Sequence, residues 1–414
     1  MAAPVGPSYS LASIDLSRAW VDLVKKDHVV ATTRLKPDAD ITVRYGVRLS
    51  HQGGSIVFED FVEEVDQSGS TEVAESELVK NIKETLSRCR DAEGSSLKFR
   101  VKGPFACQLQ LVRTMRPAPA FGPSERCSSR PPPYDSSTDS FVTGPLRLEL
   151  RPLLGRVKLA GMTNDWDIYH NMSPADVRGH FLLLPSLSER SNWRSQAFER
   201  SDCSDMVLLS SSIEPPGSLV LGFNSIGAGA SQNHIHCHAS PPPAGDQALT
   251  ESWVYPVAQA SSIASVNFKD SVTLSWLEYP VFSLRLSLKA GSSDVMLLGH
   301  VLHAVLEVLA EAPYNIGFLN QPAPMAPASP EVFVFARAQE RATTVPSLKM
   351  GVSEMMGVFH AQSHEELDRF TAPGGENPMA VALREVSIEH PETLWRSIKD
   401  KLTLELTPEF TLRS

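Results

Sequence analysis

"GASQNHIHCHAS", residues 229–240, places His234, His236 and His238 at every second position. The chain has 12 histidines in 414 residues, so three within five residues need a reason. On a strand, side chains at i, i+2 and i+4 share one face. Read as a strand, the stretch sets out a row of imidazoles roughly 13 Å long, at about 3.3 Å per residue. Three chemistries are open to such a row. Neutral imidazole suits zinc or iron, but a metal site needs a further carboxylate or cysteine that the sequence does not single out. The rings could simply pair with polar neighbours. Or one of them could attack phosphorus, since imidazole is both a good nucleophile and a good leaving group.

The residues just upstream favour the third chemistry. "NSIGAGAS", 224–231, holds two glycines, two alanines and two serines. Small residues let a backbone approach a ligand closely, and successive N–H groups in a turn make an anion-binding nest. A phosphate nest followed by a histidine row is the arrangement that a nucleotidyl-histidine intermediate needs. Asn224, Ser225, Gly227, Ser231 and Asn233 are therefore candidate substrate contacts. Cys237 lies between two of the histidines, points to the opposite face and is expected in the core.

Around this centre the sequence reads as α+β. Residues 11–27 predict a helix, with Leu16, Trp20, Leu23 and Val24 on one face. "ESELVKNIKETLSRC", 75–89, predicts another. "DITVRYGVRL", "GSIVFEDF", "SLKFRVKG", "CQLQLVRTM", "LRLELRPLL" and "RVKLAGM" predict antiparallel strands. "HFLLLPS", 180–186, predicts a buried strand ended by Pro185. Residues 115–140, rich in Pro, Ser and Gly, predict a surface loop or disordered insert. "PPPAGD", 241–246, marks a boundary between residues 1–242 and 243–414. Beyond it come the strand "SLRLSLKAG", a long helix "SDVMLLGHVLHAVLEVLAEAP", and the strands "YNIGFLN" and "EVFVFARA".

Composition narrows the function classes. The formal charge is −10 and the pI near 5.7, which argues against a nucleic-acid binder while leaving room for a local basic pocket. Five widely spaced cysteines without a CxxC pair fit a reducing compartment and no disulfide framework. The N-terminal stretch lacks the apolar core of a signal peptide. No apolar run of about 18 residues suggests a membrane span, so a cytosolic location is expected.

"NHIHCHAS" resembles the histidine-triad signature. The longer "LGFNSIGAGASQNHIHCHA" is similar to the corresponding segment of the GDP-L-galactose and GDP-D-glucose phosphorylase family. "HNMSPADVRGHFLLLPS", 170–186, and "LEYPVFSLRLSLKAGSS", 277–293, resemble the same family, and "PYNIGFLN" and "GVSEMMGVFHAQSHEELDRF" follow in its order. The resemblance covers most of the chain except 115–140.

The resemblance implies two fused histidine-triad-like halves with the active site in the first. It implies that His236 attacks the α-phosphorus of a GDP-hexose and expels hexose 1-phosphate. Inorganic phosphate then attacks the guanylyl-histidine and releases GDP, with no metal and no cofactor. His234 would support His236, and Ser231, Asn233 and His238 would stabilise charge on the phosphate. Asn171 stands where related proteins hold the ribose, and Glu354 matches a family glutamate. Arg337, Arg341 and Lys349 are candidate phosphate-neutralising cations. His238, where plant members carry Gln, leans towards GDP-D-glucose. Ser186 departs from the basic residue common after that strand's proline. The expected partners are thus GDP-hexose and phosphate, in a monomer or at most a weak homodimer. Two other readings stay open: a dinucleoside-polyphosphate or UDP-hexose enzyme of the same superfamily, and a nucleotide-binding regulator with little turnover.

Overall fold

A computed structural model describes residues 15–34, 42–52, 55–65, 99–109, 131–143, 147–171, 174–243, 254–289, 292–309, 312–323, 326–346, 348–361 and 363–406. The fold is α+β. Strands β1 (Val30–Arg34), β2 (Thr42–Gln52) and β3 (Ser55–Val65) form a small antiparallel sheet. Next in the chain come β4 (Phe99–Lys102) and β5 (Phe105–Leu109). Then follow β6 (Gly155–Val157), β7 (Trp166–His170), β8 (Phe181–Pro185), β9 (Val220–Asn224) and β10 (Cys237–Ser240). The later strands are β11 (Ser262–Phe268), β12 (Val272–Leu277), β13 (Ser283–Leu288), β14 (Tyr314–Ala323), β15 (Ala326–Ala336) and β16 (Val358–Ala361).

Ten of these build one antiparallel sheet in the order β11-β12-β13-β15-β14-β9-β10-β8-β7-β6. The sheet passes from strands before residue 242 to strands after 243 through the β9–β14 pair. β16 lies beside β5 in a third sheet, and that pairing is parallel where the sequence suggested only antiparallel strands.

Besides a single turn at Pro256–Gln259, the helices among the described residues are α1 (Leu16–Lys25), α2 (Arg200–Ser211), α3 (Val295–Val308), α4 (Val352–Met356), α5 (His364–Thr371), α6 (Pro378–Glu385) and α7 (Pro391–Leu406). Helix α3 packs on α2, α7 and strand β13. Strand β15 shows why "EVFVFA" is apolar throughout. Val332, Val334 and Ala336 enter the main core with α2, α3 and α7, while Phe333 and Phe335 enter a second core with β5, β16 and α4 to α6. Alternate residues on a strand face opposite sides, so a strand covered on both faces keeps no polar face. The first-half strands are likewise covered twice. Ile168 and Leu183 face the main core; Tyr169, Leu182 and Leu184 face Phe141, Val142 and Leu148.

Helix α4 reaches the sheet because Gly222 and Gly317 lie opposite each other on β9 and β14. A Cβ at Gly222 would come within 2.6 Å of Val352, and one at Gly317 would collide with Met356. This close approach carries the chain from Met350 to Glu354 up against the histidine segment.

One sequence expectation needs correction, and others are refined or lie outside the described residues. "LRLELRPLL" is not a strand but a 3-10 turn, Leu148–Leu150, followed by extended chain. Leu148 is pulled into the small core beside Phe141, and Pro152, just beyond, has no N–H to give to a ladder. Residues 131–140 lie largely at the surface, as expected, with Pro133 and Asp135 to Thr138 exposed, but their turns bury Asp139 and bring it to the histidines; 115–130 lie outside the described residues. Strand β5 begins at Phe105, and "VRTM" beyond it is also outside. So is the helix expected at 75–89. Among the described residues, no helix is long and apolar enough to cross a membrane.

Candidate active site

The histidine row is only partly a strand. Cys237 to Ala239 pair with β8 and His238 to Ser240 with β9, so β10 starts one residue after His236. Another segment holds the preceding residues. Ile235 N donates to Arg194 O at 3.0 Å, and Gln196 N donates to Asn233 Oδ1 at 3.1 Å. The Gln196 side chain then takes the place of a neighbouring strand. Its Oε1 accepts from His236 N at 2.8 Å, and its Nε2 donates to His236 O at 3.0 Å and to Asn224 O at 2.9 Å. A buried backbone group must find a partner, and here one side chain satisfies both polar groups of His236.

Each imidazole has its own Nδ1 partner, and these partners fix the chemistry. His236 Nδ1 lies 2.7 Å from His234 O. A carbonyl only accepts, so Nδ1 carries the proton and the lone pair sits on Nε2. Burial pushes the His236 pKa down to about 4, with the His234 carbonyl partly opposing the shift. The ring is therefore neutral at pH 7 and holds a nucleophilic nitrogen. His234 is fully buried behind it, and its Nδ1 donates to Asp139 Oδ2 at 2.5 Å. Burial pushes the Asp139 carboxyl up, but the His234 contact and the Tyr134 hydroxyl, at 2.6 Å, hold it below its ordinary range. It is thus ionised. Phe141 packs edge-on against both rings.

His238 is oriented by a residue from β8's entry. Ala175 N donates to His180 Nδ1 at 2.7 Å, which leaves the His180 proton on Nε2. That Nε2 lies 2.9 Å from His238 Nδ1 and donates to it. In its neutral form His238 then carries its own proton on Nε2. The row thus presents a lone pair at His236 and an N–H donor at His238. Among the described residues no cluster of three His, Cys, Asp or Glu is placed to hold a metal ion.

These groups open on a cavity of about 200 Å³. His236, His238, Asn171, Asn224, Ser231, Lys349 and Glu354 line it. So do His180, Gln108, Phe141, Asp176, His360 and Arg151, which the sequence did not single out. Burial lowers the Arg151 pKa to about 10, which leaves it cationic at neutral pH. Lys349 Nζ donates to Ala230 O at 2.7 Å and lies 3.1 Å from Glu340.

Other expected contacts lie elsewhere. Ser225 Oγ accepts from Tyr314 N, tying the two parts of the sheet together. Asn224, although at the cavity, uses Oδ1 to accept from Asn315 Nδ2 and Val352 N. Asn233 is spent on Gln196 N and, through Nδ2, on Pro132 O. Gly227 forms a turn with φ of 76° away from the cavity lining. The small residues expected to admit a phosphate also serve the protein itself. A Cβ on Gly229 would lie 3.0 Å from Met350 O and Gly351 Cα.

Arg337 corrects another expectation. It is 0 % exposed and donates to Asn315 Oδ1 and to the carbonyls of Met350, Gln339 and Glu340, outside the cavity. It is a brace for the 339–350 loop. Arg341 bonds Pro346 O and also lies outside the lining. Ser186 is buried on Asp167 at 3.1 Å, so the missing basic residue there removes nothing from this cavity. Cys237 is buried in the main core as expected.

Asp139 and Gln196 carried no local signal. Asp139 sits in a Ser-rich run, and Gln196 in "WRSQAFE" looks like any polar loop residue. His180 opens "HFLLLP" and was within reach, since a histidine at the start of an apolar strand needs a partner.

Compared by sequence, the chain matches no protein-family model and no curated protein. Compared by structure, it is similar to a yeast Ap4A phosphorylase in complex with AMP: TM-score 0.44, 14% identity, 75% of this chain and 96% of that one. It is also similar to a galt-like protein from Arabidopsis thaliana, with TM-score 0.34 and 16% identity over 71% of this chain and 100% of that one. A uridylyltransferase shows TM-score 0.34 and 13% identity over 58% of this chain and 85% of that one.

Proposed function

We propose that the chain is a nucleotidyltransferase that works by double displacement on His236, and that it acts as a GDP-hexose phosphorylase. The observation that carries the reading is the His236 tautomer. With Nδ1–H held by the His234 carbonyl, Nε2 is free to attack. In the first step the Nε2 lone pair forms a bond to the α-phosphorus. The bond from that phosphorus to the bridging oxygen breaks, and hexose 1-phosphate leaves with the oxygen. The ring keeps its Nδ1 proton, so the guanylyl-histidine is a cation and no proton need move. In the second step an oxygen of inorganic phosphate attacks the same phosphorus. The N–P bond breaks, GDP leaves and neutral His236 returns.

The burial that keeps His236 neutral makes its nucleotidyl form a reactive leaving group. The Asp139 carboxylate, reaching it through His234, offsets part of that cost. His238 Nε2–H and the cations Arg151 and Lys349 supply the positive field that a phosphate needs. The guanine and hexose assignment is supported by the ordered sequence segments.

The test is incubation with GDP-D-glucose or GDP-L-galactose, with and without phosphate. GDP and hexose 1-phosphate should appear with phosphate. Turnover confined to Ap4A or a UDP-hexose would overturn the GDP-hexose reading. No turnover with any nucleotide would overturn the enzyme.

A further inference from the structure

The cavity lining holds two chemically different sets of side chains. One suits phosphate chemistry: His236, His238, Arg151 and Lys349. The other comes from the third sheet and the helix before it. Gln108 on β5 and His360 on β16 are direct partners in the parallel register, and both line the cavity. His360 Nδ1 donates to Glu354 Oε1 at 2.6 Å, and Glu354 Oε2 accepts from Gly351 N at 2.8 Å. The Glu354 carboxylate makes its surroundings a poor place for another anion.

Gln108 is the decisive residue. It is 2 % exposed, yet its Nε2 has no hydrogen-bond partner among the described residues. Its neighbours on β5, Cys107 and Leu109, point into the apolar core. A buried amide without a partner is a standing penalty unless a ligand oxygen meets it. An amide donor beside an imidazole and a carboxylate suits hydroxyl groups, which both accept and donate.

We infer that Gln108, with His360 and Glu354, forms the subsite that takes the hydroxyls of the substrate's sugar, Gln108 Nε2 donating to a hydroxyl oxygen. The choice of a nucleotide sugar as ligand rests on the proposed function; the subsite itself rests on Gln108. The phosphates belong with His236, His238 and the cations, so Gln108 reads the sugar without serving the phosphoryl transfer.

Calorimetry tests this in a His236→Ala background, where the ligand is not consumed. GDP-D-glucose should bind about tenfold more tightly than GDP, the measure of roughly one buried hydrogen bond. Adding Gln108→Met should erase that advantage while GDP binds as before. Gln108→Glu, which keeps the shape but replaces the amide donor, should erase it too. Equal weakening of GDP would overturn the inference, since Gln108 would then read the base or a phosphate. So would an advantage that survives either variant. The same pair of titrations with UDP-glucose and UDP separates the two claims. If only the uridine pair shows the Gln108-dependent advantage, the GDP assignment fails and the sugar subsite stands. If neither sugar nucleotide outbinds its parent nucleotide, the subsite fails, whatever the turnover assay shows.

Discussion

Gln196→Ala should damage the site while touching none of its ligands. The Gln196 side chain is 1 % exposed and satisfies three buried backbone groups: His236 N–H, His236 C=O and Asn224 C=O. Leaving a buried polar group unpaired costs about 1–3 kcal/mol, so three give about 3–9 kcal/mol as an upper bound. The vacated space can admit a water that restores some of these bonds. We therefore expect a loss of about 3 kcal/mol, against a total stability of about 5–15 kcal/mol for a folded domain. The protein should still fold, with the His236 backbone released from its clamp. A shift of about 1 Å in a reacting group costs about a hundredfold in rate. Urea denaturation reads the first number, and single-turnover nucleotidylation reads the second. Gln196→Met, which fills the space without the bonds, should match Ala in rate while recovering part of the stability. Wild-type stability and rate in both variants would refute the claim that this side chain replaces a neighbouring strand.

Three further outcomes follow from the same geometry. Asp139→Asn keeps an oxygen for His234 but loses the charge; since about 1.4 kcal/mol of imidazolium stabilisation is tenfold in rate, nucleotidylation should slow by about tenfold or more with KM little changed, and an unaltered rate in rapid-quench assays would refute that role. His238→Gln retains an N–H donor and should turn over, whereas His238→Ala should lose about a hundredfold in kcat; a Gln variant as inactive as His236→Gln would mean that an ionisable ring is needed. Burial holds the pKa of both His236 and His170 down to about 4. The unfolded chain takes up protons at these rings below about pH 6.5 and the folded chain only below about 4, so stability should fall as pH drops between those limits. The contribution is about 3 kcal/mol per ring, and His236→Gln should remove one share of it in urea titrations at pH 7 and pH 4.

Much of the fold was legible because apolar patterning is a local signal. "EVFVFA" and "HFLLLP" are apolar on both faces because both faces are covered. The centre of the site was legible for a similar reason: three alternating histidines are rare. What supports them was not legible, because it comes from far along the chain. Asp139 lies 95 residues from His234, and Gln196 lies 40 from His236. Neither separation leaves a spacing to read. The converse error arose at Arg337, where a cation at a strand end resembles a phosphate contact. Only the carbonyls of the 339–350 loop, folded back onto it, reveal a brace. Residues 131–140 are the solvated turns that their composition suggests, and composition could not reveal that one of them, Asp139, turns inward to His234.

The most direct test is the intact mass of the protein after exposure to GDP-D-glucose without phosphate, followed by mapping of the modified residue. The account predicts one added GMP group, on Nε2 of His236, that disappears on addition of phosphate as GDP is released. It also predicts no such adduct on His236→Ala. Turnover with no adduct on a rapid-quench timescale, or an adduct on any residue other than His236, would contradict it.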